Sequence, residues 1–328
     1  NRLLGKVIFI RYLIDRNVRI NFEGHKRFEN NDFAEILKDG ETTQKFFDYI
    51  QEKFNGNLFN ISRKEYNFDP KIFLILRELI LGSTIGPIYI EPTLFDIYDF
   101  SIIPVEFISN VYELFIGQEN QANSGAYYTP VFLVDYILKE TIEKYFMKNP
   151  DKYNCKILDP ACGSGVFLVE AYRKIVKQHE KLHPNCKQNK KEYKNILKQL
   201  ALDNIFGIDE DKDAVSVATF SIYLTMLHYQ EPADIEDFKF PPLNESNFFV
   251  ADFFDSELDN IDKLKGFNFI IGNPPWKRGN SNSASCTEYI EGRRKKEENK
   301  GLKIGNKEIA QAFLLRTSDF SSENTKCA

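Results

Sequence analysis

Between about residue 125 and residue 272, short β-type runs alternate with longer amphipathic helical patterns, and this alternation constrains the fold more than any other feature. Cys155 to Asp159 reads as a strand ending at Pro160. The turn Ala161-Cys162-Gly163-Ser164-Gly165 follows, then a helical pattern through Phe167, Leu168, Ala171 and Ile175. Asn204 to Asp209 reads as the next strand and Ala214 to His228 as the next helix. Phe248 to Ala251 and Phe267 to Ile271 read as two more strands. An order β-α-β-α-β…β implies a parallel sheet with helices on its faces. Ligands of such sheets bind beyond the carboxyl ends of the strands.

The preceding part of the chain has a different character. Leu3, Leu4, Val7, Ile8, Tyr12 and Leu13 recur at helical spacing, as do Phe46, Phe47, Ile50 and Phe54, and Ile72, Leu76, Leu79 and Ile80. Breaks at Asn55-Gly56-Asn57 and Gly86-Pro87 separate these pieces. The expected division is a helical domain over residues 1–120 and an α/β domain over residues 121–328.

Composition removes other classes. With 42% hydrophobic and 28% charged residues, the 328-residue chain is neither collagen-like nor a disordered tail, and it has the length for roughly two domains. Its apolar stretches, such as Ile72 to Leu76, are far short of the about 20 residues of a membrane-spanning helix, so a soluble protein is expected. Cys155, Cys162, Cys186, Cys286 and Cys327 form no CxxC pair and no metal-ligand spacing, which points to a reducing, cytoplasmic setting. A start at Asn1 reads as a piece of a longer frame. The net charge of −5 means that any nucleic-acid contact must come from a local patch. Residues 277–308 carry nine Lys/Arg against five Asp/Glu; a solvated loop and a loop facing phosphates both fit this stretch. A last helix is expected over Lys307 to Phe320.

Five polar motifs fall at strand ends or helix starts. Asp159-Pro-Ala-Cys-Gly-Ser-Gly-Val-Phe167 lies at a strand-to-helix turn, where glycines admit a ligand and the helix N-terminus favours anionic groups. Leu168 stands where a nicotinamide fingerprint needs its third glycine, and no GxxxxGK[ST] is present. Asp209 ends the next strand and can accept the hydroxyls of a ribose, or cap the following helix. It stands 50 residues after Asp159, against roughly 20 in a dinucleotide fold. Asp252 ends the third strand, as an acceptor for an exocyclic amine or as a turn residue. Asn273-Pro274-Pro275-Trp276 follows the fourth strand. Two prolines stiffen the backbone, carbonyls serve as acceptors, and Trp offers a stacking face, a set suited to a planar group bearing an amine. Gly125-Ala-Tyr-Tyr-Thr-Pro130 precedes a helix, with Pro130 expected at its first position. Asp234…Asp237-Phe-Lys239 echoes a nuclease pattern only faintly. His25, His179, His183 and His228 have no catalytic partner motif.

In this order, G-A-Y-Y-T-P, D-P-A-C-G-S-G-V-F, G-I-D, A-D-F and N-P-P-W, the chain resembles the S-adenosylmethionine-dependent N6-adenine DNA methyltransferases of restriction–modification systems in their gamma arrangement. Asn1-Arg2-Leu3-Leu4-Gly5-Lys6, Phe54-Asn55-Gly56-Asn57-Leu58-Phe59 and the run Ile103 to Glu113 also resemble the lead-in of fused type IIG enzymes and of type I modification subunits. The resemblance implies a Rossmann-like class I methyltransferase sheet after a mostly helical N-terminal domain, S-adenosyl-L-methionine as cofactor, and double-stranded DNA as partner. It implies that Thr129 holds the methionine carboxylate, and that Asp159 with the backbone of Ala161, Gly163 and Gly165 lines the methionine end. Asp209 would hold the ribose, and Asp252 the cofactor's adenine amine, with Phe253 packing on that ring. Asn273 and the Pro274 carbonyl would grip the target amine and Trp276 would stack on the base, with Pro275 stiffening the corner. No metal is implied. Fewer strands are legible than the family sheet has; Thr325 to Ala328 resembles the start of a fifth. An apolar edge is therefore expected beside the strand Phe267 to Ile271, with recognition and nuclease domains or subunits outside this chain. Methylation of an RNA base or protein glutamine, a non-catalytic DNA-binding subunit and a nicotinamide oxidoreductase are the alternatives.

Overall fold

The computed structural model describes residues 2–24, 28–54, 70–81, 99–101, 129–276, 284–295, 304 and 308–328. Residue contacts divide the chain into two compact units: Asn1–Phe107 with Met226–Pro242, and Ile108–Thr225 with Leu243–Ala328.

The first unit is helical. It contains α1 (Arg2–Asp15), α2 (Asn30–Ile36), α3 (Gly40–Phe54) and α4 (Pro70–Leu81). In α3 the residues Thr43, Phe46, Phe47, Ile50 and Phe54 recur on one face and are buried there, while Glu41 and Lys53 complement the helix dipole at its two ends. Phe46 stacks on Phe28, with their centroids 5.0 Å apart, and meets Phe22 edge-on. In α4 the buried face is Phe73, Leu76 and Ile80, whereas Ile72 is exposed. The Gly86-Pro87 break and the two quoted lead-in runs beyond Phe54 lie outside the described residues.

The second unit holds a five-stranded, wholly parallel sheet. Its longer helices and its strands, in chain order, are α5 (Val131–Leu138), β1 (Ile157–Asp159), α6 (Val166–Leu182), α7 (Lys190–Asn204), β2 (Ile205–Asp209), α8 (Lys212–His228), β3 (Phe248–Val250), β4 (Phe269–Ile270), α9 (Ala284–Arg294), α10 (Ile309–Phe320) and β5 (Lys326–Cys327). The π-helical turn Lys139–Glu143 carries α5 on into a short helix, Lys144–Lys148. The last residues of α8, Met226–His228, count with the first unit. The strand order is β3-β2-β1-β4-β5. The chain therefore steps outward from β1 to β3, returns to the other side of β1 with β4, and steps outward again. β1 and β4 flank the point where the direction of winding reverses, which is where open α/β sheets leave a crevice.

Local chemistry sets the register. Asn204, just before β2, accepts the Cys155 N–H at 2.6 Å, and Asn268, just before β4, accepts the Lys156 N–H at 2.8 Å. The two amides entering β1 are thus satisfied from both neighbouring strands. Asn247, fully buried before β3, donates to the carbonyls of Leu202 and Ile205 at 2.8 Å each.

Several expectations need correction. The edge beside β4 is covered: β5 pairs with it in parallel, Phe269 opposite Lys326 and Ile270 opposite Cys327, and presents exposed residues in place of an apolar edge. The stretch 277–308 is not simply a loop, because Ala284–Arg294 is helical and buries Cys286 and Ile290. Helix α7 gave no distinct sequence signal: it is Lys-rich, and its apolar face is only Tyr193, Leu197, Leu200 and Ala201. The helix after Thr129 begins at Val131, with Pro130 as its N-cap.

Candidate active site

The reversal point gathers the ends of β1, β2 and β4. At the end of β1, Asp159 is 1% exposed and its Oδ1 accepts the Ala161 N–H at 3.1 Å. Burial, followed by the charge of Asp209, pushes its carboxyl up to about 8, against the opposing Ala161 hydrogen bond. Gly272, after β4, is what lets this carboxyl fit. A Cβ there would lie 2.4 Å from Asp159 Oδ1, so any other residue would force this carboxyl to move.

The turn after β1 is tied to β2. Cys162 N–H donates to the Ile208 carbonyl at 2.9 Å, and Gly163 N–H donates to Asp209 Oδ2 at 2.8 Å. Gly163 (φ 51°) and Gly165 (φ 86°) are both left-handed. A Cβ on Gly165 would meet Ala218 of α8 at 2.9 Å, so this glycine seats α6 against α8. A Cβ on Gly163 would meet no atom of the described residues within 4 Å. Asp209 also accepts the Asp211 N–H at 2.9 Å, and burial raises its carboxyl against these two bonds. Capping of α8 falls to Asp211, which accepts the Asp213 N–H at 2.8 Å. Burial likewise holds the Cys162 thiol well above its usual range, which keeps it protonated.

After β4, Asn273, Pro274 and Pro275 are half-buried and Trp276 is 62% exposed. Asn273 Nδ2 donates to the buried hydroxyl of Thr129 at 3.2 Å, and Trp276 Nε1 donates to Asn273 Oδ1 at 3.0 Å. Two motifs separated by 144 residues thus meet directly. Gly125 to Tyr128 lie outside the described residues.

The β3 end adjoins Asp209 through the Ala251 N–H, which donates to the Asp209 carbonyl at 3.0 Å. Asp252 accepts the Phe254 N–H at 2.9 Å in a tight turn, and its other oxygen accepts from the Ser285 hydroxyl of α9. Phe253 is 2% exposed, and its ring stacks on both Phe313 and Phe320 of α10, at 5.1 and 5.2 Å, in the core. Asp252 and Phe254, by contrast, line a cleft of about 690 Å³ together with Ser285, Tyr289, Arg316 and Phe320.

The other candidates make contacts of their own. His179 and His183 stack on one another at 4.4 Å, with Tyr153 edge-on to both, and His228 packs on Tyr12. Lys239 Nζ donates to the Glu52 carbonyl. His25 lies outside the described residues. No group of three or more metal-ligating side chains occurs among the described residues. Sequence reasoning missed Gly272 and Ser285. A glycine directly before Asn-Pro-Pro was a visible signal; nothing in the local sequence marks Ser285.

Residues 146–328 match the family described as "MmeI, DNA-methyltransferase domain". The chain is 24% identical over 316 residues to the type II restriction enzyme and methyltransferase RM.Eco57I of Escherichia coli, covering 83% of this chain and 30% of that protein. It is 28% identical over 99 residues to the adenine-specific methyltransferase PglX of Streptomyces coelicolor, covering 30% of this chain and 8% of that protein. Among solved structures, the type IIL restriction-modification enzyme MmeI in complex with DNA superposes with a TM-score of 0.60 at 17% identity, covering 99% of this chain and 46% of that one. The chain thus spans less than half the length of each of these proteins.

Proposed function

The chain belongs to the MmeI DNA-methyltransferase domain family, and from that premise we propose that it methylates the N6 amine of adenine in double-stranded DNA, using S-adenosyl-L-methionine, as part of a restriction–modification system in the cytoplasm. The observation that carries this reading is the Asn273 corner. Its side-chain amide is oriented by Thr129 and Trp276, and it follows directly on Gly272, which packs on the buried Asp159 carboxyl. Similarity to the adenine-specific methyltransferase PglX favours adenine as the target.

The residues present fit the cofactor. The buried carboxyl of Asp159 suits an ammonium group, the half-buried carboxyl of Asp209 suits ribose hydroxyls, and no described atom lies within 4 Å of where a Cβ on Gly163 would stand. Thr129, Asp159, the backbone of Ala161, Gly163 and Gly165, Asp209 and Asp252 would hold it. When bound, S-adenosylmethionine supplies an electrophilic methyl group on a sulfonium sulfur.

The chain's own groups act on the acceptor. The N6 lone pair of adenine is delocalised into the ring. Asn273 Oδ1 and the Pro274 carbonyl would accept the two N–H bonds and draw the nitrogen out of conjugation. These preorganised dipoles meet the positive charge that develops on nitrogen, and the surplus proton leaves to water without a dedicated base. Pro275 stiffens the corner. The base must leave the duplex, at a cost of a few kcal/mol. Stacking on the exposed Trp276 face would return about 1–3 kcal/mol of this. Target recognition and any nuclease activity are assigned to parts outside this chain.

The test is expression of the parent gene in a host lacking adenine methylation, with N6-methyladenine quantified in host DNA beside an Asn273→Ala control. Methyladenine that disappears in the control is expected. A soluble protein that binds S-adenosylmethionine yet leaves DNA unmodified would refute the assignment in favour of an RNA or protein amine, or of a subunit that needs a partner.

A further inference from the structure

Asn273 is held at both ends of its amide: Trp276 Nε1 lies 3.0 Å from Oδ1, and Nδ2 lies 3.2 Å from Thr129 Oγ1. An indole N–H can only donate, so the atom facing Trp276 is the carbonyl oxygen and the nitrogen faces Thr129. This orientation decides what Asn273 can bind. Turned by half a rotation, it would set N–H against the N–H of an incoming amine.

Of the two partners Trp276 is the exposed one, its ring 62% open to solvent and its bond to Oδ1 open to competition from water. Thr129 is 7% exposed and sits at the start of α5, on the protein side of the amide. A free hydroxyl could serve either amide orientation, since it donates as well as accepts. A hydroxyl whose proton is engaged by an anion has only lone pairs left, and those accept from Nδ2 alone.

We propose that Thr129 is a positioning residue for the methyl acceptor: with its proton given to the carboxylate of the bound cofactor, its oxygen holds Asn273 with Oδ1 facing the target amine. The proposal rests on the reading in the preceding subsection and adds a coupling to it. Cofactor binding readies the grip on the amine, and by linkage an engaged amine tightens cofactor binding.

The experiment uses the full-length protein and DNA carrying its methylated site, with Thr129→Val and Thr129→Ser variants. Three quantities are read: S-adenosylhomocysteine affinity without DNA, fluorescence of 2-aminopurine placed beside the target adenine with and without S-adenosylhomocysteine, and kcat at saturating cofactor. The valine variant is expected to lose about tenfold or more in kcat, the scale of one lost hydrogen bond in the transition state, and to lose the cofactor-dependent rise in fluorescence. The serine variant is expected to keep both within about threefold. A valine variant with weaker S-adenosylhomocysteine binding but wild-type kcat and fluorescence at saturation would make Thr129 a cofactor ligand only and overturn the proposal. Equal failure of the serine variant would overturn it too. A wild type that methylates no DNA would overturn the functional reading itself, so the two failures are told apart.

Discussion

Asp159 is an acid buried without a cationic partner among the hydrogen bonds and charges that set its titration. It is enclosed by the Ala161 N–H and by Gly272, and burial raises its carboxyl from an ordinary 3.8 to about 8. Between those values the folded chain retains a proton that the unfolded chain has lost. The folded state then binds more protons, so stability falls as pH rises through the window. Urea midpoints should decline from about pH 6 to pH 8 in the wild type, and Asp159→Asn should flatten that slope. A cationic ligand reverses the preference and favours the carboxylate. Binding of S-adenosylmethionine near neutral pH should therefore release protons, read by calorimetry in buffers of different ionisation heat; identical heats in all buffers would count against this. Asp159 stood out in the sequence as the residue opening a glycine-rich turn. Its protonation did not, because that depends on Gly272, 113 residues downstream, lying against it.

At the scale of elements, Arg316 adds a polar anchor to the apolar packing of α10. Arg316 is 2% exposed and donates to the carbonyls of Phe253 and Asp255 at 3.0 Å each. It also pairs with Asp259 at 2.8 Å and Asp319 at 3.1 Å. Its guanidinium stacks over Phe320, 4.8 Å from the ring centroid. Arg316→Leu leaves these acceptors without their donor and should cost about 3 kcal/mol, measured as a lower urea midpoint at unchanged slope. The loss should extend to the cleft that Asp252 shares with α9 and α10. The α10 helix was legible from its apolar spacing. Helix α9 was hidden because Arg293, Arg294 and Lys295 dominate its reading, and because its buried face is only Cys286 and Ile290. The packing of Phe253 against Phe313 and Phe320 ties the turn after β3 to this helix.

For the whole molecule, the order β3-β2-β1-β4-β5 matters more than any single contact. It brings the ends of β1 and β4 together, so the Asp159 turn and the Asn273 corner share one crevice although they lie far apart in the chain. A ligand of that crevice stabilises the fold by mass action. S-adenosylhomocysteine at about 100 times its dissociation constant should add about 2.7 kcal/mol to unfolding, read as a higher melting temperature. A nicotinamide dinucleotide should leave the melting temperature unchanged; an equal shift with it would sink the methyl-transfer reading. No helix among the described residues is long and apolar enough to cross a membrane.

The sequence by itself determined the local features. Hydrophobic period marked four of the five strands and most of the helices, because burial on a sheet or helix face leaves a repeat that can be read along the chain. Glycine, proline and asparagine at strand ends marked the turns, because their backbone and donor–acceptor properties are intrinsic. Only the tertiary structure decided which of those turns meet. The return of the chain past β1, the seat of Asp159 against Gly272, the bond from Asn273 to Thr129 and the packing of Phe253 in the core all depend on contacts between distant residues. Such contacts are set by packing the whole sheet and its helices together, and packing leaves no periodic mark in the sequence.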